Sequence, residues 1–197
     1  MTVQWTQPGI FNARNAAMAA VAAALALFPD DPTQLTLEPL ARFRGVKRRQ
    51  ELLVDTPKLK VIEDFGHHPT ALAQTLQSLR SRYPGTVLSA VFEPRSNTAR
   101  TKVMQAGFTR ALALADEVYI GAVSRADKLK EEDRFDVEAV IQHLDIQGVH
   151  AVTAPTNAEL LGELTASTQA EKESQLVVFF TNGSFDGIIQ GFVKGIA

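Results

Sequence analysis

Cysteine is absent from the 197 residues, which excludes disulfides, thiolate metal sites and a cysteine nucleophile together. An excess of either charge is absent too. Twenty Lys and Arg stand against 22 Asp and Glu, a net charge of -2, so no global field recruits nucleic acid or an anionic membrane. No G-x-x-x-x-G-K-[ST] stretch occurs, and the backbone cradle and lysine that hold ATP phosphates are therefore missing. Autonomous ATP chemistry is not expected of this chain. The most apolar run, residues 16–28, is Ala-rich, shorter than a membrane span and without a basic leader. It reads as a buried helix, and the protein as cytoplasmic, with no membrane partner. No repeat or low-complexity tract is present. What remains is a globular composition, 45% hydrophobic and 21% charged, enough for one ordinary domain with a remainder or for two small ones.

Residues 12–28 are strong helix formers stopped by Pro29-Asp30-Asp31-Pro32, and a shorter helix follows through 37–43. The long helix is apolar on nearly every side, a pattern that needs surrounding protein. Forty-odd residues cannot provide it, so this segment reads as the tail of a larger domain. After Gly45 the pattern changes. Runs 49–54 and 59–64 bracket Asp55-Thr56-Pro57-Lys58 as an antiparallel hairpin. Helices are expected at 70–82, 101–115, 136–144, 156–166 and from Phe185, and strands at 86–92, 117–121, 149–153 and 175–181. Short β-rich runs alternating with helices predict an α/β fold, a mostly parallel sheet covered on both faces. Ligands of such sheets bind beyond the carboxyl ends of the strands.

Several stretches fall on that edge or on the first helix, and each has a plain structural use beside a chemical one. Asn12 suits a helix cap, whereas Asn15, a poor helix former on a buried first turn, wants a partner such as an adenine edge. Lys47-Arg48-Arg49 is solvated surface, or a guanidinium reaching a phosphate. In Glu63-Asp64-Phe65-Gly66-His67-His68-Pro69-Thr70, adjacent histidines on extended chain point apart and make a poor chelating pair, so no metal is assigned. Asp64 accepting from ribose hydroxyls is the better use, with Thr70 capping the next helix. Glu93-Pro94-Arg95-Ser96-Asn97-Thr98 offers Arg95 as a carboxylate clamp, or Asn97 or Thr98 as a cap. Asn182-Gly183-Ser184-Phe185-Asp186-Gly187 is either a strand-to-helix turn or a set of backbone N–H groups facing a carboxylate. The charged run 127–134 reads as a solvated loop.

In order and spacing, G-x-x-N-x-x-N-A-x-A-A, F-x-G-V-K-R-R-x-E, D-F-x-H-H-P-T and E-P-R-S-N-T together resemble the Mur ligase family over essentially the whole chain. The resemblance implies helices closing a central ATPase domain over 1–44, then a Rossmann-like C-terminal domain over 45–197. It implies nucleotide contacts at Asn12, Asn15, Arg49, Asp64 and His67, and contacts to the incoming amino acid or peptide at Arg95, Ser96, Asn97, Asn182, Ser184 and Phe185. ATP and Mg2+ are the implied cofactors, held mainly by protein outside these residues. The pattern at 93–98 resembles the branch that joins L-alanyl-γ-D-glutamyl-meso-diaminopimelate to UDP-N-acetylmuramate through an acyl phosphate. The L-alanine-adding branch, whose second loop runs Q-P-H-R, is the alternative within the family, and a non-catalytic nucleotide-binding module the alternative outside it. Phe11 stands where many members have His, and Glu63 where many have Asp.

Overall fold

The computed structural model describes residues 3–5 and 7–196. It divides into two compact units, 1–46 and 47–197. In the first, α1 (Ile10–Leu27) is followed by a 3-10 turn at Pro32–Gln34 and α2 (Glu38–Arg42). Asp31 caps that turn, accepting from the Thr33 amide and hydroxyl. Helix α1 begins after Gly9 rather than at Asn12, whose side-chain amide donates to Pro8 O at 2.7 Å.

The burial expected of the apolar helix is not provided within these residues. Only Ala24 of α1 is buried, while Met18 is 70% exposed and Leu25 57%. Its 18 residues, with a mean hydropathy of 1.4, are long and apolar enough to cross a membrane by length and composition alone. A helix apolar all round has no side to turn to water, and within this chain its apolar sides stay open.

The second unit builds one six-stranded sheet in the order β1-β2-β6-β3-β4-β5. Strands β1 (Glu51–Asp55) and β2 (Leu59–Asp64) form the antiparallel hairpin, with Thr56 Oγ1 accepting from the Leu59 amide across the turn. Then come α3 (Pro69–Arg82), β3 (Val87–Phe92), α4 (Gln105–Leu112), β4 (Glu117–Ile120), α5 (Val137–Ile146), β5 (His150–Thr153), α6 (Asn157–Ala170), β6 (Gln175–Phe180) and α7 (Ile188–Ile196). From β2 onward every pairing is parallel.

Period-two alternation sorts the strands between two cores. Leu176, Val178 and Phe180 of β6 join Leu88, Ala90 and Phe92 of β3 under α3, α4 and α5. Val177 and Phe179 face the other way, with Tyr119, against Leu160 and Leu164 of α6 and Ile189 and Phe192 of α7. Each such Val, Leu, Ile or Phe side chain, fully buried, contributes about 1.5–3 kcal/mol. Right-handed crossovers explain the division: the chain moves one way along the sheet through β2, β3, β4 and β5, then reverses to insert β6, so the returning helix must cross the opposite face. The reversal makes β6 a switch strand. Its carboxyl end leads to one face while those of β2 and β3 lead to the other, and crevices open on both its sides.

Candidate functional site

Main-chain bonds carry the sheet one residue past its strands: Thr181 N donates to Asp64 O, Glu93 N to Phe180 O and Gly121 N to Phe92 O. These bonds hold Asp64, Thr181 and Glu93 side by side at the carboxyl edge. The loops they launch make two unlike neighbourhoods.

Between β2 and β6 most polar groups bond to one another, although Gln50 Oε1 is buried without a partner. Arg48, in a left-handed conformation at φ 59°, donates through Nε to Glu63 at 2.6 Å and through Nη2 to Thr181 O and Gly183 O at 3.1 and 2.6 Å. The Asp64 carboxylate accepts the Gln50 amide at 3.0 Å with one oxygen and the Gly66 amide at 2.7 Å with the other. Only 5% exposed, Asp64 is a turn anchor here rather than the open ribose acceptor expected of it. Burial pushes its carboxyl above the ordinary range, against the opposing pull of the two amides and Arg49. Gln50 also has φ 52°, so the strand expected from Arg49 starts at Glu51. Arg49 itself is exposed, and its guanidinium lies 5.1 Å from the Phe65 ring centre, as does that of Arg48 on the same ring.

Between β6, β3 and β4 lies a cleft of ≈ 430 Å³. His67, Arg95, Ser96, Asn97 and Asn182, named from sequence, all line it, together with Thr98, read from sequence as a cap, and Arg100, Ser124 and Arg125, which sequence reasoning passed over. His67 Nδ1 is 3.0 Å from Phe65 O, an oxygen that only accepts, so Nδ1 carries the proton of this bond. His68 points elsewhere and caps α3, accepting from Thr70 N, so the cap is His68 and not Thr70. Ser96 Oγ accepts from Ala99 N, and Asn97 Oδ1 from Arg100 Nη2 at 3.1 Å. Behind Arg95, the buried Glu93 carboxylate lies 3.4 Å from Nη1 and accepts the Thr181 hydroxyl. Gly183 must be glycine for Arg95 to lie where it does, because a Cβ would fall 2.2 Å from Arg95 Nε.

Asn182 Oδ1 is buried with no hydrogen-bond partner, and so is Arg100 Nε. Ser184 is exposed beside the cleft-lining Asn182. Phe185 is a correction: its ring is 0% exposed, packed in the core beneath α6 and α7, where a Cβ on Gly121 would meet it at 2.4 Å. A phenylalanine after a turn has the same sequence signature on either side of the sheet, so burial alone decides. Asn157 was missed as well; it accepts from Ala122 N at 2.9 Å and donates to Asp186 at 2.7 Å, tying the loop after β4 to that after β6. Asn12 and Asn15 belong to the first unit, three residues apart on α1, where Asn15 is exposed. Among the described residues, no group of three His, Cys, Asp or Glu is placed to hold a metal ion.

The chain is 31% identical over 197 residues to the UDP-N-acetylmuramate–L-alanyl-γ-D-glutamyl-meso-2,6-diaminoheptandioate ligase of Escherichia coli, covering 99% of this chain and 39% of that protein. It is 36% identical over 137 residues to the UDP-N-acetylmuramate–L-alanine ligase of Bifidobacterium adolescentis, covering 70% of this chain and 25% of that one. A crystal structure of a murein peptide ligase from Psychrobacter arcticus superposes with a TM-score of 0.70 at 26% identity, covering 98% of this chain and 38% of the other. The chain thus spans well under half the length of each. The family model for the Mur ligase, glutamate ligase domain, matches residues 48–183, and the chain belongs to the Mur ligase family.

Proposed function

We propose that this chain is the closing part of an ATP-dependent amide ligase that joins L-Ala-γ-D-Glu-meso-diaminopimelate to UDP-N-acetylmuramate in the cytoplasm, in peptidoglycan recycling. The observation that carries the proposal is the convergence of His67, Arg95, Ser96, Asn97 and Asn182 on one cleft at the sheet's carboxyl edge. In this reading the cleft takes the incoming peptide, its carboxylate on Arg95. Arg49, exposed on the Phe65 face, fits the phosphate oxygens of ATP, whose γ-phosphate supplies the activation of the muramyl carboxylate. Asp64 serves by holding the turn at 65–67 that would lie against the ribose, rather than by an open carboxylate. Asn12 and Asn15 would meet the adenine from residues 1–44, and Mg2+ would be held by protein beyond these residues. The chain's own contribution is to position amine and acyl donor and to exclude water.

The L-alanine-adding ligase is the second reading, favoured by the 36% identity to the Bifidobacterium protein. The E-P-R-S-N-T stretch at 93–98 supports the tripeptide enzyme over it. In the intact ligase, Arg49→Ala is expected to lower turnover by roughly 10²–10³-fold, the size of losing one donor to developing charge, with unchanged circular dichroism. Unchanged kinetics would remove Arg49 from the site. The 197-residue chain alone is expected to form no ADP with UDP-N-acetylmuramate and tripeptide, and detectable ADP would overturn the closing-part assignment. Rates with tripeptide and with L-alanine, measured side by side in the intact ligase, decide between the two readings.

A further inference from the structure

Three arginines line the ≈ 430 Å³ cleft: Arg95 and Arg100 from the loop after β3, and Arg125 from the loop after β4. Only Arg95 has a carboxylate beside it, the Glu93 oxygen at 3.4 Å. Arg100 and Arg125 face no carboxylate among the described residues. Like charges gathered in one concavity repel, and nothing in the fold of this unit needs them there.

They are nevertheless held there. Ser124 N donates to Pro94 O at 3.0 Å, which binds the β4 loop to the β3 loop next to Arg95 and delivers the adjoining Arg125 to the cleft. Arg125 takes a left-handed backbone, φ 52°, and opens a 3-10 turn. Arg100 is fixed by its own carbonyl, which accepts Phe135 N at 3.0 Å, and by Asn97. Its Nε is buried and unpaired, a charged donor lacking an oxygen. On the facing loop, Asn182 Oδ1 is buried and unpaired, an acceptor lacking an N–H. Buried polar atoms are nearly always satisfied, so each of these two points to a group supplied from outside.

From this arrangement we infer that Arg100 and Arg125 form a second carboxylate seat beside Arg95. The cleft then selects an amino component with two or more free carboxylates and an N–H for Asn182, over a single amino acid. The inference rests on the peptide-ligase reading and adds residues which that reading does not use. Guanidinium groups serve phosphates equally well, but the Asn182 oxygen would repel a phosphate oxygen and welcomes an amide or ammonium proton. L-Alanine, with one carboxylate, would satisfy Arg95 and leave the other two arginines as they are.

The test observes arginine Nε–Hε signals of the isotopically labelled 197-residue chain by NMR during titration with L-Ala-γ-D-Glu-meso-diaminopimelate, L-alanine or inorganic pyrophosphate. The tripeptide is expected to shift the signals of Arg95, Arg100 and Arg125, and L-alanine that of Arg95 alone. Arg125 is exposed, so its replacement leaves the fold intact. Arg125→Gln is expected to weaken tripeptide binding about tenfold, and Arg125→Lys to recover only part of it, since lysine keeps the charge and loses the bidentate fork. Tripeptide binding that is as tight in Arg125→Gln as in the parent overturns the second seat and leaves the peptide-ligase reading standing. Pyrophosphate binding more tightly than tripeptide at all three arginines makes this a phosphate site and overturns both. Silence of Arg100 and Arg125 toward every probe overturns the second seat, while the peptide-ligase reading is then decided by ligation rates in the intact enzyme.

Discussion

The two sides of β6 differ in what their polar side chains are bonded to. Toward β2, Arg48 bonds to Glu63 and two carbonyls, and Asp64 to two amides, so the charges are used up inside the protein. Toward β3 and β4, Arg100 keeps one bond, to Asn97, but its Nε and the Asn182 oxygen are buried without partners, and these residues line a cleft together with Arg125. Both sets lie at the same sheet edge and carry similar residue types. Charge at a ligand-binding edge is thus no guide by itself: groups whose hydrogen bonds close internally hold loops, and groups left open are available to a ligand.

The sharpest way to break this comparison is the pair Arg48 and Arg49, adjacent in sequence and opposite in use. Arg48→Ala strands a largely buried carboxylate and two carbonyls and is expected to cost about 3 kcal/mol in urea unfolding. Arg49→Ala, at an exposed side chain, is expected to stay within about 0.5 kcal/mol. Equal losses would erase the distinction. Next in size is Asp64→Ala, which removes the acceptor of two amides and is expected to cost about 2 kcal/mol, with hydrogen exchange quickened at Gln50 and Gly66 in particular.

Asp64 also sharpens the comparison through pH. Its carboxyl titrates above the ordinary 3.8 in the folded protein because burial disfavours the charge. Between 3.8 and that higher value the folded state binds more protons than the unfolded one, so this group's contribution is present below 3.8 and lost as pH rises through the folded pKa. Stability of the parent relative to Asp64→Asn, followed across that acid window, is expected to fall as pH rises. A rise instead would mean that the two amides outweigh desolvation. The smallest effect on stability belongs to the open side. Gly183→Ala pushes the flexible end of Arg95 aside and is expected to change stability by less than about 1 kcal/mol while moving the Arg95 Nε–Hε signal and weakening tripeptide binding.

Much of the sheet was legible because hydrophobic alternation and turn residues are local. The hairpin, the four later strands and their intervening helices fall where residue patterns put them, within a few residues. One helix is shorter than its pattern: residues 101–104 stay outside α4 because Thr101 bridges to Arg134 and Arg100 O is taken by Phe135, a long-range constraint that helix propensity does not contain. Cleft-lining residues were legible where a motif ends a strand, as at Arg95 and Asn182. Arg125 sits at the border of a charged run that reads as solvated surface, and no local signal says that its loop is tied to Pro94.

By itself, then, the sequence determined the elements, their faces and the edge at which chemistry gathers, since these depend on the period of apolar residues and on where strands stop. Only the tertiary structure decided which polar residues are spent: that Asp64 and Arg48 close on neighbours, that Phe185 turns inward, and that Arg100 and Arg125 reach the cleft. The reason is physical. Whether a polar group is satisfied depends on partners brought from distant positions by the crossing of β6, and a residue's own surroundings in the chain carry no record of them.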